Sequence, residues 1–232
     1  VIYRNTTTSL PTFTKHKSLY AYDRVNFTPF NPNKKINQTI GCLPAIEDLE
    51  GDGDVDFVTN LNSSGSALIL NCNNTVDSGK SLLDISFEIP DKCYGGIDEW
   101  NGQVVTNAFC FFRESYEGKK KKHAATKTLM FFDNDDDGDM DLFYGSSEKT
   151  ETPIYYFENG KADLGNYYKD TFISIDTNYF TRAVFDKMAI APGAFYVDID
   201  LDGTKDLILA SNERDKSSYP ILETKNVMYL KN

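Results

Sequence analysis

The sequence predicts an all-β fold assembled from tandem hairpin units, and three observations predict it. A nonapeptide of the form D-x-[DE]-x-D-G-x-x-D occurs three times, as DLEGDGDVD (Asp48 to Asp56), DNDDDGDMD (Asp133 to Asp141) and DIDLDGTKD (Asp198 to Asp206). Each copy is flanked by short apolar runs rich in aromatic and β-branched residues and broken by a Gly-containing turn, which marks strands rather than helices. An apolar segment ending in Asn then follows each copy, as ALILN (Ala67 to Asn71), IYYFEN (Ile154 to Asn159) and VMYLKN (Val227 to Asn232).

Taken in chain order, VIYRN (Val1 to Asn5) has the pattern of that same closing strand, so residues 1–5 are expected to end a preceding unit. Units at 6–71, 72–159 and 160–232 follow. In the first, Leu43 to Ile46 should pair with Phe57 and Val58 across the acidic loop. The second repeats this with Leu129 to Phe132 and Leu142 to Tyr144, the third with Ala194 to Val197 and Leu207 to Leu209. Each loop then sits at a hairpin tip. Loop-to-loop spacings of 85 and 65 residues match a four-stranded propeller blade with insertions. The expected architecture is a β-propeller segment of about three four-stranded blades, part of a larger ring. The best amphipathic helical stretch, Thr181 to Ala189, is short and reads equally as a loop.

The second unit carries an insertion. Asn101-Gly102 is a strong two-residue hairpin signal, and pairing Trp100 with Gln103 across it sets Cys93 opposite Cys110. On that register the pair falls at a non-hydrogen-bonded rung, where Cα atoms lie about 4.5 Å apart, within disulfide range. A Cys93–Cys110 bridge is expected. Cys42 and Cys72 would lie near opposite ends of one blade, which disfavours a bond between them. The absence of a C-x-x-C pair argues against zinc.

Charge is distributed unevenly. The three nonapeptides hold 5, 6 and 4 of the 35 acidic residues and a single base, Lys205, for a net −14, whereas the remainder of the chain is +3. Two like charges 4 Å apart repel by about 4 kcal/mol at an effective dielectric of 20, and each loop packs at least four. Such a loop needs a cation to close. Carboxylates at loop positions 1, 3, 5 and 9, a Gly at 6 for the sharp turn and a backbone carbonyl at 7 make an oxygen-only shell, the donor set calcium takes. The expected ligands are Asp48, Glu50, Asp52, Asp54 (carbonyl) and Asp56; Asp133, Asp135, Asp137, Asp139 (carbonyl) and Asp141; and Asp198, Asp200, Asp202, Thr204 (carbonyl) and Asp206. Three Ca2+ sites follow. Glu50 is one methylene longer than its counterparts, so the first site should be the most distorted. Helical calcium loops also want an acidic ligand at position 12, where this chain has Thr59, Tyr144 and Leu209.

The loops together with the IYYFEN-type strands resemble the FG-GAP or VCBS-type repeats of calcium-binding β-propellers, the architecture of integrin α-subunit heads. CYGGIDEWNGQ (Cys93 to Gln103), TLMFFDNDDDGDMDLFYGS (Thr128 to Ser146), AFYVDIDLDGTKDLILAS (Ala194 to Ser211) and VMYLKN further resemble large secreted VCBS-repeat proteins of Bacteroidota, which are exported to the cell surface by type IX secretion. That resemblance implies an extracellular or cell-surface location and, in such proteins, further repeats and a C-terminal sorting domain. The first residues, VIYRNTTTSL, lack the charged start and apolar run of a signal peptide, so export is expected to be directed by sequence outside this stretch.

No nucleophile elbow, phosphate-binding Gly loop or zinc-hydrolase motif is present, and the clustered acids are committed to metal. The expected role is non-catalytic: adhesion, scaffolding, or binding of a protein or carbohydrate ligand at the cell surface. A calcium-dependent polysaccharide-degrading propeller is the enzyme alternative, and a cargo or accessory subunit of an outer-membrane secretion complex is a third. The Lys119 to Lys122 run with His123 reads as a solvated loop in an acidic chain, so no nucleic-acid partner is expected. No stretch has the roughly 18 uninterrupted apolar residues of a membrane helix.

Overall fold

A computed structural model describes residues 3–5, 13–15, 19–23, 33–36, 42–60, 67–80, 85–100, 103–106, 126–146, 154–163, 170–179, 192–210 and 227–232. The stretch Thr181 to Ala189, the basic run Lys119 to His123 and Cys110 lie outside these residues. The described chain is all-β: its one helical element is a single 3-10 turn, Tyr94–Gly96. No helix among the described residues is long and apolar enough to cross a membrane.

Among the described residues the strands form three larger sheets and two short hairpins. The first sheet has the order β4-β3-β8-β7-β6-β5, from β3 (Tyr20–Asp23), β4 (Asn33–Lys35), β5 (Ala45–Glu47), β6 (Asp56–Asn60), β7 (Leu68–Asn73) and β8 (Phe87–Asp91), antiparallel except where β3 meets β8. The second runs β11 (Lys127–Phe132), β12 (Asp141–Ser146), β13 (Ile154–Asn159), β14 (Phe172–Asp176). The third holds β15 (Gly193–Val197), β16 (Asp206–Ala210) and β17 (Val227–Leu230). The small hairpins are β1 (Tyr3–Asn5) with β2 (Phe13–Lys15), and β9 (Asp98–Trp100) with β10 (Gln103–Val105). Among the described residues none of the sheets closes on itself.

All three expected loop hairpins form. Glu47 pairs with Asp56, Phe132 with Asp141 and Val197 with Asp206, so each acidic loop bridges the last rung of its ladder. The closing strand needs one correction: in the first sheet it is Leu68–Asn73, two residues beyond the expected ALILN frame. Phe57 faces Asn71, as Leu142 faces Phe157 and Leu207 faces Leu230, which makes Asn73 the counterpart of Asn159 and Asn232. A slip of two residues preserves side-chain alternation, so apolar patterning alone does not detect it.

Trp100 pairs with Gln103 as expected. Cys93 is disulfide-bonded, whereas Cys42 and Cys72 stand outside any disulfide. The 3-10 turn directly after Cys93 separates it from β9, so Cys93 is not a rung of that ladder.

The sheets stack face on face. Ala45, Val58 and Leu68 of the first sheet pack against Leu129, Phe131, Leu142 and Phe157 of the second. The other face of the second sheet, with Met130, Phe132, Phe143, Ile154 and Tyr156, packs against Tyr196, Leu207, Leu209 and Leu230 of the third. Covered on both sides, β11 and β12 are buried at every position, and their sequences read as nearly continuous apolar runs for that reason. The first strands of the three units are neighbours: Leu43 pairs in parallel with Thr128, and the Thr128 hydroxyl donates to the carbonyl of Pro192 at 2.6 Å. At the other end of the first sheet, Lys92 and Asp23 form a buried ion pair at 2.6 Å that joins the end of β8 to β3.

Candidate metal centre

The three acidic loops share one backbone. Position 6 has φ of 90°, 88° and 94° at Gly53, Gly138 and Gly203, the left-handed region that glycine tolerates. Position 4 is left-handed too, with φ of 75°, 62° and 60° at Gly51, Asp136 and Leu201. Two of these are not glycine, which costs backbone energy and shows that side-chain bonds hold the turn.

Those bonds come first from position 1. Asp48 accepts the N–H groups of Gly51, Asp52 and Gly53 at 2.8, 3.1 and 2.9 Å. Asp133 accepts that of Gly138 at 3.1 Å, and Asp198 those of Asp202 and Gly203 at 3.2 and 3.0 Å. Position 5 then takes the N–H of position 7 at 2.8, 2.9 and 2.9 Å (Asp52, Asp137, Asp202).

Position 9 is a staple. Asp56, Asp141 and Asp206 are buried, and one oxygen of each accepts the position 2 N–H: Leu49 at 3.0 Å, Asn134 at 3.1 Å and Ile199 at 3.2 Å. The other oxygen accepts the N–H of the closing-strand asparagine: Asn73 at 2.8 Å, Asn159 at 2.8 Å and Asn232 at 3.1 Å. Tyr156 and Tyr229 add hydroxyl bonds to Asp141 and Asp206 at 2.8 and 3.1 Å. Leu70 stands at the equivalent place in the first unit and has no hydroxyl to give. Position 7 reaches onward to the turn that follows: the Asp54 and Asp139 carboxylates accept from Val76 and Ala162 at 2.7 and 2.8 Å.

What remains at each tip is a group of carboxylates whose ligand atoms lie within 4.8 Å of one another: Glu50, Asp52 and Asp77; Asp133, Asp135 and Asp137; Asp198, Asp200 and Asp206. Of the expected side-chain ligands, Asp48, Asp56, Asp141 and Asp202 fall outside these groups, while Asp206, bonded to backbone N–H groups as Asp56 and Asp141 are, lies within one. Asp54 and Asp139 are expected to donate through their carbonyls, which their carboxylate bonds to Val76 and Ala162 leave open. Thr204 offers its N–H to Asp202, leaving its carbonyl as the expected donor. The longer Glu50 leaves the loop backbone undistorted; the first cluster differs in recruiting Asp77. That residue comes four positions after Asn73, as Asp163 does after Asn159, a spacing the nonapeptide pattern does not include.

Three buried carboxylate oxygens here have no hydrogen-bond partner among the described residues: Asp52 Oδ2, Asp133 Oδ1 and Asp139 Oδ1. An ionised oxygen buried without a partner is costly, and a bound cation or an ordered water can supply one. Burial, with the charges of Glu50 and Asp52 adding, pushes the Asp56 carboxyl up to about 6 against the N–H groups of Asn73 and Leu49. Asp139 is likewise pushed up to about 6 by burial and by Asp137, Asp141 and Asp135. Asp135 and Asp141 are raised, again chiefly by burial. In the third loop the direction reverses for Asp202, lowered by the Thr204 side chain and N–H and by Lys231. Lys231 reaches both Asp200 and Asp202, the latter at 3.2 Å. The donor sets are oxygen throughout and fit a hard divalent cation.

Comparison with protein-family models, with curated proteins and with solved structures finds no match to this chain.

Proposed function

We propose that the chain is a calcium-stabilised β-propeller segment, related to the FG-GAP and VCBS-type repeats, that works outside the cell as a non-catalytic binding module. The observation that carries this reading is the grouping of carboxylates at three tips whose backbones match, with buried, partnerless oxygens on Asp52 and Asp133 in the first two. Glu50, Asp52 and Asp77, then Asp133, Asp135 and Asp137, then Asp198, Asp200 and Asp206 would hold the three ions. Calcium suits them because it accepts irregular shells of six to eight oxygens, whereas Mg2+ asks for a near-ideal octahedron.

The propeller reading is supported by the stacking. Each sheet covers its predecessor through equivalent positions: Ala45, Val58 and Leu68 in the first, Met130, Phe143 and Ile154 in the second. Their counterparts in the third, Phe195, Ile208 and Val227, face no sheet among the described residues, and Phe195 and Val227 are 52% and 63% exposed. A further blade would seat there. Rigid blades held by metal at their tips would present loops to a partner, a protein or a carbohydrate at the cell surface.

Thermal melting with calcium and with EDTA tests the proposal. Extracellular calcium modules have Kd on the order of 10⁻⁴ to 10⁻³ M, so 10 mM calcium should stabilise by about 1.4 to 2.7 kcal/mol per occupied site. An unchanged melting temperature would sink the structural-calcium reading.

A further inference from the structure

We infer that Lys231 is a tethered counter-ion of the third loop and makes it the weakest of the three cation sites; the inference rests on the calcium reading above. The three loops have matching backbones and equivalent staples, so the differences between them come from side chains around the cup. One position stands out. The residue just before the closing-strand asparagine is Cys72 in the first unit, Glu158 in the second and Lys231 in the third. In the first it meets loop position 3, with the Cys72 thiol 3.0 Å from Glu50. In the second, Glu158 turns to the Ser174 hydroxyl at 2.6 Å and leaves Asp135 to the loop. In the third, the ammonium of Lys231 binds Asp200 at position 3 and lies 3.2 Å from Asp202 at position 5.

A positive charge thus already sits where two carboxylates of the third loop would receive a metal ion. The buried carboxylate oxygens without a partner belong to the first and second loops, whereas Asp200 and Asp202 of the third are exposed and meet the ammonium of Lys231. Among the described residues, no ammonium or guanidinium meets the carboxylates of the first two loops, whereas Lys231 meets those of the third. A divalent ion entering the third loop must displace Lys231 or bind beside a like charge. Since that lysine is half exposed and screened, the handicap amounts to about tenfold in affinity. Two sites should therefore fill before the third.

Calorimetric calcium titration of the whole chain, wild type against Lys231→Met and Lys231→Arg, tests this, with Asp200→Asn locating the third site. In the wild type, two tighter sites and one about tenfold weaker are expected, and Asp200→Asn should remove the weak one. Lys231→Met should tighten that site about tenfold, while Lys231→Arg, which keeps the charge, should leave it weak. Melting in EDTA gives an independent sign: Lys231→Met should be less stable than wild type without calcium and gain more from its addition. Three equal sites unaffected by Lys231→Met, or a weak site removed by Asp52→Asn or Asp135→Asn instead, would overturn this inference and leave the calcium reading intact. No binding in any variant would overturn both.

Discussion

The carboxylate of Asp141 accepts the backbone N–H of Asn159 at 2.8 Å, and this contact, beside the Tyr156 hydroxyl, ties the acidic loop to the third strand of its sheet. Asp56 with Asn73 and Asp206 with Asn232 repeat it. A residue that the motif presents as a metal ligand thus also organises the fold, because both its oxygens are spent on backbone N–H groups in regions that have no other partner for them. Asp141→Ala should therefore destabilise by about 3 kcal/mol in urea denaturation, and by similar amounts with calcium and with EDTA. A loss seen only in calcium would assign Asp141 to the metal alone.

Acidity should act in opposite directions with and without metal. The folded-state carboxyls of Asp56 and Asp139 stand at about 6, against about 4 in an unfolded chain. The folded protein holds these protons more tightly, so in EDTA stability falls as pH rises from about 4 to about 6. Saturating calcium binds the ionised loops and should invert the slope. Urea midpoints measured across that window in both buffers check the sign; a midpoint rising with pH in EDTA would contradict it.

Asp77 contributes to the first cluster from outside the loop. Asp77→Asn should weaken the tight calcium binding of the first loop about fivefold to tenfold and leave metal-free stability within about 0.5 kcal/mol of wild type, since the residue is exposed. Calorimetry and EDTA melting separate the two effects. Unchanged affinity would remove Asp77 from the site.

Met130 and Phe195 occupy equivalent places on successive sheets, yet one is buried under the next sheet and the other is half exposed. Met130→Asp should cost about 4 kcal/mol or more, since it buries an unpaired charge, whereas Phe195→Asp should change stability by less than about 1 kcal/mol. Comparable losses at both positions would mean that the outer face of the third sheet is already covered.

Position 4 of the loops offers a stabilising change. Leu201 is held at φ 60° and is 85% exposed, while Gly51 fills the same place in the first loop. Leu201→Asn, a residue that tolerates this region, should raise stability by about 0.5 kcal/mol in thermal melts. A loss would mean that the leucine makes a contact the described residues do not show.

The residues themselves determined the three hairpins, the tips where charge collects and the strand register at Trp100 and Gln103, because each depends on interactions spanning a few residues: a glycine at position 6, a carboxylate bonding N–H groups up to five positions on, alternation across a tight turn. Tertiary structure alone decided the rest. Which of two asparagines, Asn71 or Asn73, closes the first unit is invisible to alternation and is settled by a bond to Asp56 from 17 residues away. Whether Met130 is core and Phe195 surface depends on which sheets stack. That Asp77 enters one loop and Lys231 another depends on where the third strand brings the chain back, since side chains so distant in sequence meet only once the sheet has formed.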